Sequence, residues 1–304
     1  MTSEFSPENM IDREVEQEIF DRLLKLEDDA RLLIISDKGG RGKTMLLKRL
    51  HYNCVYRHDL PVALVELQSL RDPSPFTLIE EFHRNLIDVS PNLRFPRFDE
   101  LNDARKLKDA ARLGARAGLI EGRVDARAAE VSGSSARFIG VQMNNPTIIG
   151  APEWTPEMED NARRKCLQAF FDDLKEICEE TTVVLLLDTW DGGNSELKRW
   201  IELVLLRHHC FKRETRPARL VLVLTGRPEG FPNFKDQLAD QYPKLVRSIE
   251  SFGEWNLDHV RAFLKIHGYE KIEEEDLQRI RAGINKPGKS LLDVLQAVKL
   301  FFAD

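Results

Sequence analysis

The chain has 304 residues, more than one hydrophobic core usually organises, so a large domain with a small one is expected. Its 42% hydrophobic and 32% charged residues exclude a disordered chain, and a net charge of −6 excludes a general nucleic-acid coat while leaving room for a local basic patch. The longest apolar runs, residues 32–35 and 183–187, are too short to cross a bilayer, and residues 1–9 hold neither a basic patch nor an apolar signal core; a cytoplasmic protein is expected.

Residues 14–26 place Val15, Ile19, Leu23, Leu24 and Leu26 at helical spacing, with charges on the opposite face. Residues 32–35, Leu-Leu-Ile-Ile, suit a strand covered on both sides. A glycine-rich turn follows, and helical spacing resumes over 44–51. Residues 62–67 predict a second strand, and the turn Asp72-Pro73-Ser74-Pro75 opens a helix over 76–87. The stretch 88–156 is less regular. It holds a basic, alanine-rich helix candidate over 104–119, then small and β-branched residues over 124–149 that suit a hairpin or a flexible insert.

Helical spacing returns over 157–180 through Cys166, Ala169, Phe170, Leu174 and Ile177. Residues 183–187 predict a third strand, 196–206 a helix, 220–224 a fourth strand and 245–249 a fifth. Strands separated by helices imply parallel pairing with right-handed crossovers, hence a three-layer α/β core. After Ser251 the strands stop, and helices over 257–267, 273–282 and 290–302 make a small helical domain. Cys54, Cys166, Cys178 and Cys210 show no CxxC pairing and read as reduced thiols.

Between the first strand and the helix after it lies Asp37-Lys38-Gly39-Gly40-Arg41-Gly42-Lys43-Thr44, a phosphate-binding loop in the context such a loop needs. Glycines let the backbone curl until successive N–H groups face the phosphates, and the helix N-terminus adds partial positive charge. Lys43 is expected to bridge the outer phosphates and the Thr44 hydroxyl to ligate magnesium. The standard pattern opens with glycine, and here Asp37 stands in that place; its side chain is expected either to weaken phosphate binding or to point away.

The third strand ends in Asp188, placed to hold magnesium through water. Asp191 lies three residues on and is a candidate to orient or deprotonate the attacking water, with helix capping as the alternative for both acids. The fourth strand ends in Thr225-Gly226-Arg227-Pro228, where a polar residue would touch the γ-phosphate or its water and Arg227 either reports hydrolysis or is a surface turn residue. Arg207-His208-His209-Cys210 reads as a helix end rather than a metal site, and Lys212, Arg213, Arg216 and Arg219 as a solvated face, with a nucleic-acid or acidic-partner patch as the alternative. The tryptophans are assigned to packing, with Trp190 set apart because it lies inside the acidic motif.

With these elements in order, the chain resembles a STAND-type P-loop ATPase, the signalling class that includes NACHT and plant resistance-protein nucleotide-binding domains. Ile11-Asp12-Arg13-Glu14-Val15-Glu16 is similar to the opening segment of that family, which implies that Arg13 lies on the adenine side. Gly39, Gly40, Arg41, Gly42, Lys43, Thr44 and Met45 match its phosphate loop, and Leu187-Asp188-Thr189-Trp190-Asp191 resembles its extended acidic motif. The family often has Glu after the second acid, where this chain has Gly192. Thr225-Gly226-Arg227-Pro228 is similar to its Thr-Ser-Arg-Pro sensor, and the resemblance makes Pro287 the candidate for the lid proline near the base, although Asn285-Lys286-Pro287-Gly288 departs from the usual Gly-x-Pro-Leu.

The resemblance implies an adenine-side helical segment over 1–30, a P-loop NTPase core over 31–250 with an insert at about 88–156, and a helical lid over 251–304. It implies ATP or ADP with Mg²⁺ as cofactors. The expected function is a signalling switch with slow or partner-dependent hydrolysis, relying on protein partners for sensor or effector functions and compatible with a homo-oligomer. The alternatives are a non-hydrolysing nucleotide-binding interaction module and an AAA-type ATPase acting on nucleic acid. No membrane is expected, and nucleic acid is disfavoured.

Overall fold

The computed structural model describes residues 13–27, 29–116, 155–231, 233–266, 269 and 272–285, the side chains of 108–116 excepted. In chain order the elements are α1 (Glu14–Leu24), β1 (Leu32–Ser36), α2 (Lys43–Tyr56), β2 (Val62–Glu66), α3 (Pro75–Val89), α4 (Pro96–Arg116), α5 (Pro156–Glu180), β3 (Val183–Asp188), α6 (Ser195–Trp200), β4 (Leu220–Gly226), α7 (Phe234–Gln241), β5 (Val246–Ile249), α8 (Leu257–Ile266) and α9 (Glu274–Ile284). The run expected over 124–149, the helix expected over 290–302 and Pro287 lie outside the described residues.

The five strands form one parallel sheet in the order β2-β3-β4-β1-β5. Parallel strands need long crossovers, and here each is supplied by one or more helices. Alternation along the strands sends Leu33, Ile35, Val184, Leu186, Val221 and Val223 into one cluster with Leu46, Leu47 and Leu50 of α2 and Phe20 and Leu23 of α1. The residues between them, Leu32, Ile34, Leu185, Leu222 and Leu224, are equally buried, so both sheet faces are covered. Burying a side chain such as Phe20 or Leu23 stabilises the fold by about 1.5–3 kcal/mol, enough to hold the short α1 on the core.

Local chemistry explains several boundaries. Ser74 caps α3, its Oγ accepting the Thr77 N–H at 3.2 Å, and Pro75 follows where a missing N–H costs nothing. Asn194 caps α6 by accepting the Leu197 N–H at 2.7 Å. After Trp200 the helix widens into a π-helical stretch, Ile201–Phe211, where Glu202 and Arg207, five residues apart, form a 2.9 Å ion pair. The helix α7 has only Phe234 and Leu238 buried, too few apolar positions to declare a period in the sequence.

The chain divides into two compact units, Met1–Phe95 with Phe170–Asp304, and Pro96–Ala169. The second holds α4 and the first turns of α5, with Phe98 and Cys166 buried. Within the first unit, α8 and α9 close over a separate cluster of Trp255, Val260, Phe263, Leu264, Leu277 and Ile284. All four cysteines are buried and none forms a disulfide; burial pushes the Cys54 and Cys178 thiols up to about 12. Among the described residues no helix is long and apolar enough to cross a membrane.

His209, on the π-helical stretch, is buried and stacks on Phe171 with ring centroids 3.6 Å apart. Burial first, then the neighbouring His208, pushes its pKa down from 6.5 to about 4. The unfolded chain therefore takes up a proton that the folded chain resists, so stability present above pH 6.5 is lost as pH falls towards 4. The total is on the order of 3 kcal/mol. Urea unfolding across this range is expected to show a shallower acid limb for His209→Leu than for the wild type; equal slopes would contradict the assignment.

Candidate functional site

All carboxyl ends of a parallel sheet lie along one edge, and β4 separates β1 from β3. The registers Ser36↔Gly226 and Glu66↔Asp188 bring the ends of β1, β4, β3 and β2 into line along that edge. The phosphate loop, the acidic motif and the Thr225-Gly226-Arg227 turn therefore meet there, although they are far apart in sequence.

The loop begins where β1 stops. Gly40 and Gly42 have φ of 74° and 89°, left-handed values that glycine adopts without a Cβ penalty, and Asp37 is not among the positive-φ residues. Glycine is thus needed at those two positions for the curl, while an L side chain fits at the first. The curl delivers the chain into α2 at Lys43 with Gly42 as N-cap and no side-chain cap. The first N–H groups of this helix have no intrahelical partner, which leaves an anion-binding end. Gly39 and Gly40 are exposed, Arg41, Gly42 and Met45 half-buried, and Thr44 stands exposed in the first turn.

The Lys43 ammonium folds back on its own loop, donating to the carbonyls of Asp37 at 2.5 Å and Lys38 at 2.7 Å. Burial lowers its pKa; Asp37, Asp191 and Asp188 oppose that shift, and Arg227 adds to it. Those three acids are therefore near enough to act on it electrostatically.

Asp188 is buried at the end of β3, and its Oδ1 accepts both the Thr189 N–H at 2.8 Å and the Thr225 hydroxyl at 2.5 Å. The Thr225 hydroxyl thus orients Asp188. Thr189 is left-handed at φ 56°, a strained conformation that turns the chain sharply towards Asp191. Trp190 anchors this turn. It donates from Nε1 to the Gly230 carbonyl at 2.8 Å and stacks on Phe231 and Phe234, with centroids 5.7 and 5.2 Å away. Its place in the acidic motif is a packing role.

Both oxygens of Asp191 face Arg227: Oδ1 accepts its backbone N–H at 3.0 Å, and Oδ2 lies 3.5 Å from its Nε. The cap on the next helix belongs to Asn194, so neither acid serves there. Arg227 is otherwise exposed and leans over the loop, with Nε 3.5 Å from where a Cβ on Gly39 would stand. A Cβ on Gly192 would approach the Cβ of Gln68 to 2.7 Å. The close approach of two backbones explains why no larger residue follows Asp191.

Arg13 reaches the loop, its Nη2 donating to the Arg41 carbonyl at 3.3 Å. The Asp37 carboxylate accepts the Phe252 N–H at 2.9 Å and the Lys38 N–H at 2.6 Å. Two features escaped the sequence reading. Asp37's partner lies 215 residues away, which no spacing rule detects. Glu66, in register with Asp188, accepts from Gln68 and is a further carboxylate at this edge; its signal was an acid ending an apolar strand, the same as for Asp188.

No protein-family model and no curated protein matches the chain. Among solved structures, Cdc6p from Pyrobaculum aerophilum is similar with a TM-score of 0.51 at 16% identity, over 99% of this chain and 63% of that one. A DNA replication initiation factor gives 0.46 at 12% identity, over 99% of this chain and 65% of that one. Only the first is close enough to bear on the fold. The chain spans less than two thirds of the length of either. The fold is that of a P-loop NTPase, a parallel α/β core followed by a helical segment.

The contact at Gly192 makes a direct prediction. Gly192→Glu, which restores the acid common in the resembled family, is expected to lower stability by about 1–3 kcal/mol in urea unfolding. A variant as stable as the wild type would show that the turn has room for a side chain.

Proposed function

We propose that this chain is an ATP-binding, magnesium-dependent switch module of the STAND class, with slow or partner-dependent hydrolysis and action through conformational change and assembly. The observation that carries this reading is the uncapped start of α2, with Lys43 beside it and Asp188, Asp191 and Arg227 gathered at the same edge. In this reading the N–H groups from Gly39 to Met45 receive the phosphates, and Lys43 exchanges its loop carbonyls for phosphate oxygens.

The donor set fits magnesium. Among the described residues no cluster of three or more His, Cys, Asp or Glu forms a protein cage, and magnesium ordinarily needs none, because it keeps waters and shares phosphate oxygens. The two bonds made to Asp188 both fall on Oδ1, so its other oxygen is available to a metal-bound water, and the exposed Thr44 hydroxyl supplies a ligand. When bound, the ion would neutralise charge on the outer phosphates.

Slow turnover is supported by the engagement of both Asp191 oxygens with Arg227. An Asp191 occupied in this way orients the arginine and accepts a proton from water only after that contact opens. Arg227, poised over Gly39, is the group we assign to sensing the outer phosphate. Protein partners would supply signal input and output. The domain assignment belongs to the same proposal: an adenine-side segment over 1–30, a core over 31–250 and a lid over 251–304, with Pro287 approaching the base.

A second reading, an AAA-type ATPase acting on nucleic acid, draws on the same fold and on the exposed cations Lys212, Arg213 and Arg219. One assay separates the readings: steady-state ATPase rates of the wild type, Asp188→Ala and Asp191→Ala, each with and without single-stranded DNA at low salt. The switch reading expects about 10⁻⁴–10⁻² s⁻¹ for the wild type, a fall to background for Asp188→Ala and no effect of DNA. Equal background rates in all three proteins would sink hydrolysis and leave a nucleotide-held interaction module. Salt-sensitive stimulation by DNA would favour the second reading.

A further inference from the structure

The residue at the first position of the phosphate loop is bonded to the segment that leads into the C-terminal helices. Asp37 is buried, and its two carboxylate oxygens go to different places: Oδ1 to the Lys38 N–H at 2.6 Å, and Oδ2 to the Phe252 N–H at 2.9 Å. Arg41, inside the loop between the two left-handed glycines, closes a ring around that contact. Its Nε lies 3.6 Å from Asp37 Oδ2, and its Nη2 donates to the Phe252 carbonyl at 3.4 Å. Arg13 completes the ring by donating to the Arg41 carbonyl at 3.3 Å while its guanidinium lies 4.0 Å over the Phe252 ring.

Phe252 is thus held at its N–H, its carbonyl and its ring, and the first two contacts come from the phosphate loop. Three residues further on, Trp255 is held just as tightly from the other side. Asn285 at the end of α9 accepts its N–H and donates to its carbonyl, both at 3.0 Å, and Arg281 Nε donates to the same carbonyl at 3.0 Å. The Trp255 ring packs edge-on against Phe263 of α8. The connector from Phe252 to Trp255 is therefore pinned to the loop at one end and to the helical segment at the other.

We infer that Asp37 is a positioning residue which couples the occupancy of the phosphate loop to the C-terminal helices through the Phe252–Trp255 connector. The inference rests on the nucleotide reading for the ligand, and on the contacts above for the coupling. Arg41 is the element shared between the two states: its side chain serves the connector, while its backbone lies in the part of the loop that receives phosphate. A phosphate chain brings negative charge beside a ring that holds two guanidinium groups and one carboxylate, and so competes with Asp37 for Arg41. Loading the loop then changes how firmly Phe252 is held. With glycine at position 37, as in the standard pattern, no side chain could transmit that change.

Amide hydrogen exchange on the full chain tests this, with MgADP and the non-hydrolysable MgAMPPNP as probes. Asp37→Asn keeps an oxygen for the Lys38 N–H but turns the other acceptor into a donor; Asp37→Gly restores the standard loop. Without nucleotide, exchange at Phe252 is expected to rise about tenfold or more in both variants, since a charge-assisted bond is lost. With nucleotide, the wild type is expected to change its exchange across both the connector and α8, while the variants leave α8 unchanged and, with Arg41 released to the phosphates, bind about fivefold or more tightly, as reciprocal coupling requires. A variant that retains the wild-type response in α8, or unchanged exchange at Phe252 in the free protein, overturns the coupling. Loss of nucleotide binding in Asp37→Gly also overturns it, because the residue would then act on binding itself. A wild type that binds no nucleotide overturns the site reading instead, and the exchange at Phe252 in the free protein still judges the contact.

Discussion

The first N–H groups of α2 have no partner inside the helix, and everything at the carboxyl edge of the sheet is arranged around that fact. They are open because the chain enters the helix through left-handed glycines rather than through a capping serine or aspartate. Ser74 on α3 and Asn194 on α6 supply the usual cap, while α1, α7 and α9 also start without a side-chain cap; what sets α2 apart is the glycine loop and the acids gathered at its start. An uncapped helix start at the end of a buried strand leaves unsatisfied donors and partial positive charge, and an anion answers both. The sheet then sets what surrounds the anion, because its strand order places the end of β4 between the loop and Asp188.

Charge around this point is balanced by pairing more than by numbers. Asp191 holds Arg227, Thr225 holds Asp188, Asp37 holds Arg41 and the connector, and the Lys43 ammonium occupies carbonyls of its own loop. On the proposed reading, a phosphate chain would offer Lys43, Arg41 and Arg227 another partner. Engagement of Asp191 with Arg227 and of Asp37 with Arg41 suits the proposed switch better than a site built for rapid chemistry.

Much of the fold was legible because its strands are buried on both faces, so Leu32 to Ile35 and Val183 to Leu187 appear as continuous apolar runs between helical periods. The helix α7 was illegible, since Phe234 and Leu238 alone cannot announce a period, and the widening after Trp200 leaves no compositional mark. In the site, the loop was readable because its residues are contiguous. What could not be read was the use of each side chain: Thr225 against Asp188, Gly192 against Gln68, Asp37 against Phe252. These are contacts between segments that only the parallel register brings together. The departures of Asp37 from the standard loop and of Gly192 from the resembled motif, which suggest a weakened site in the sequence, are explained in the fold by a bond and by a close approach to Gln68.

The most direct test of the whole account is whether the chain holds a nucleotide. Mass spectrometry of the nucleotide released from the purified protein, together with calorimetric titration of MgATP into the wild type and Lys43→Ala, decides it. The expected result is an adenine nucleotide bound by the wild type and lost from Lys43→Ala with the fold intact. A folded wild type that neither carries nor binds nucleotide would contradict it.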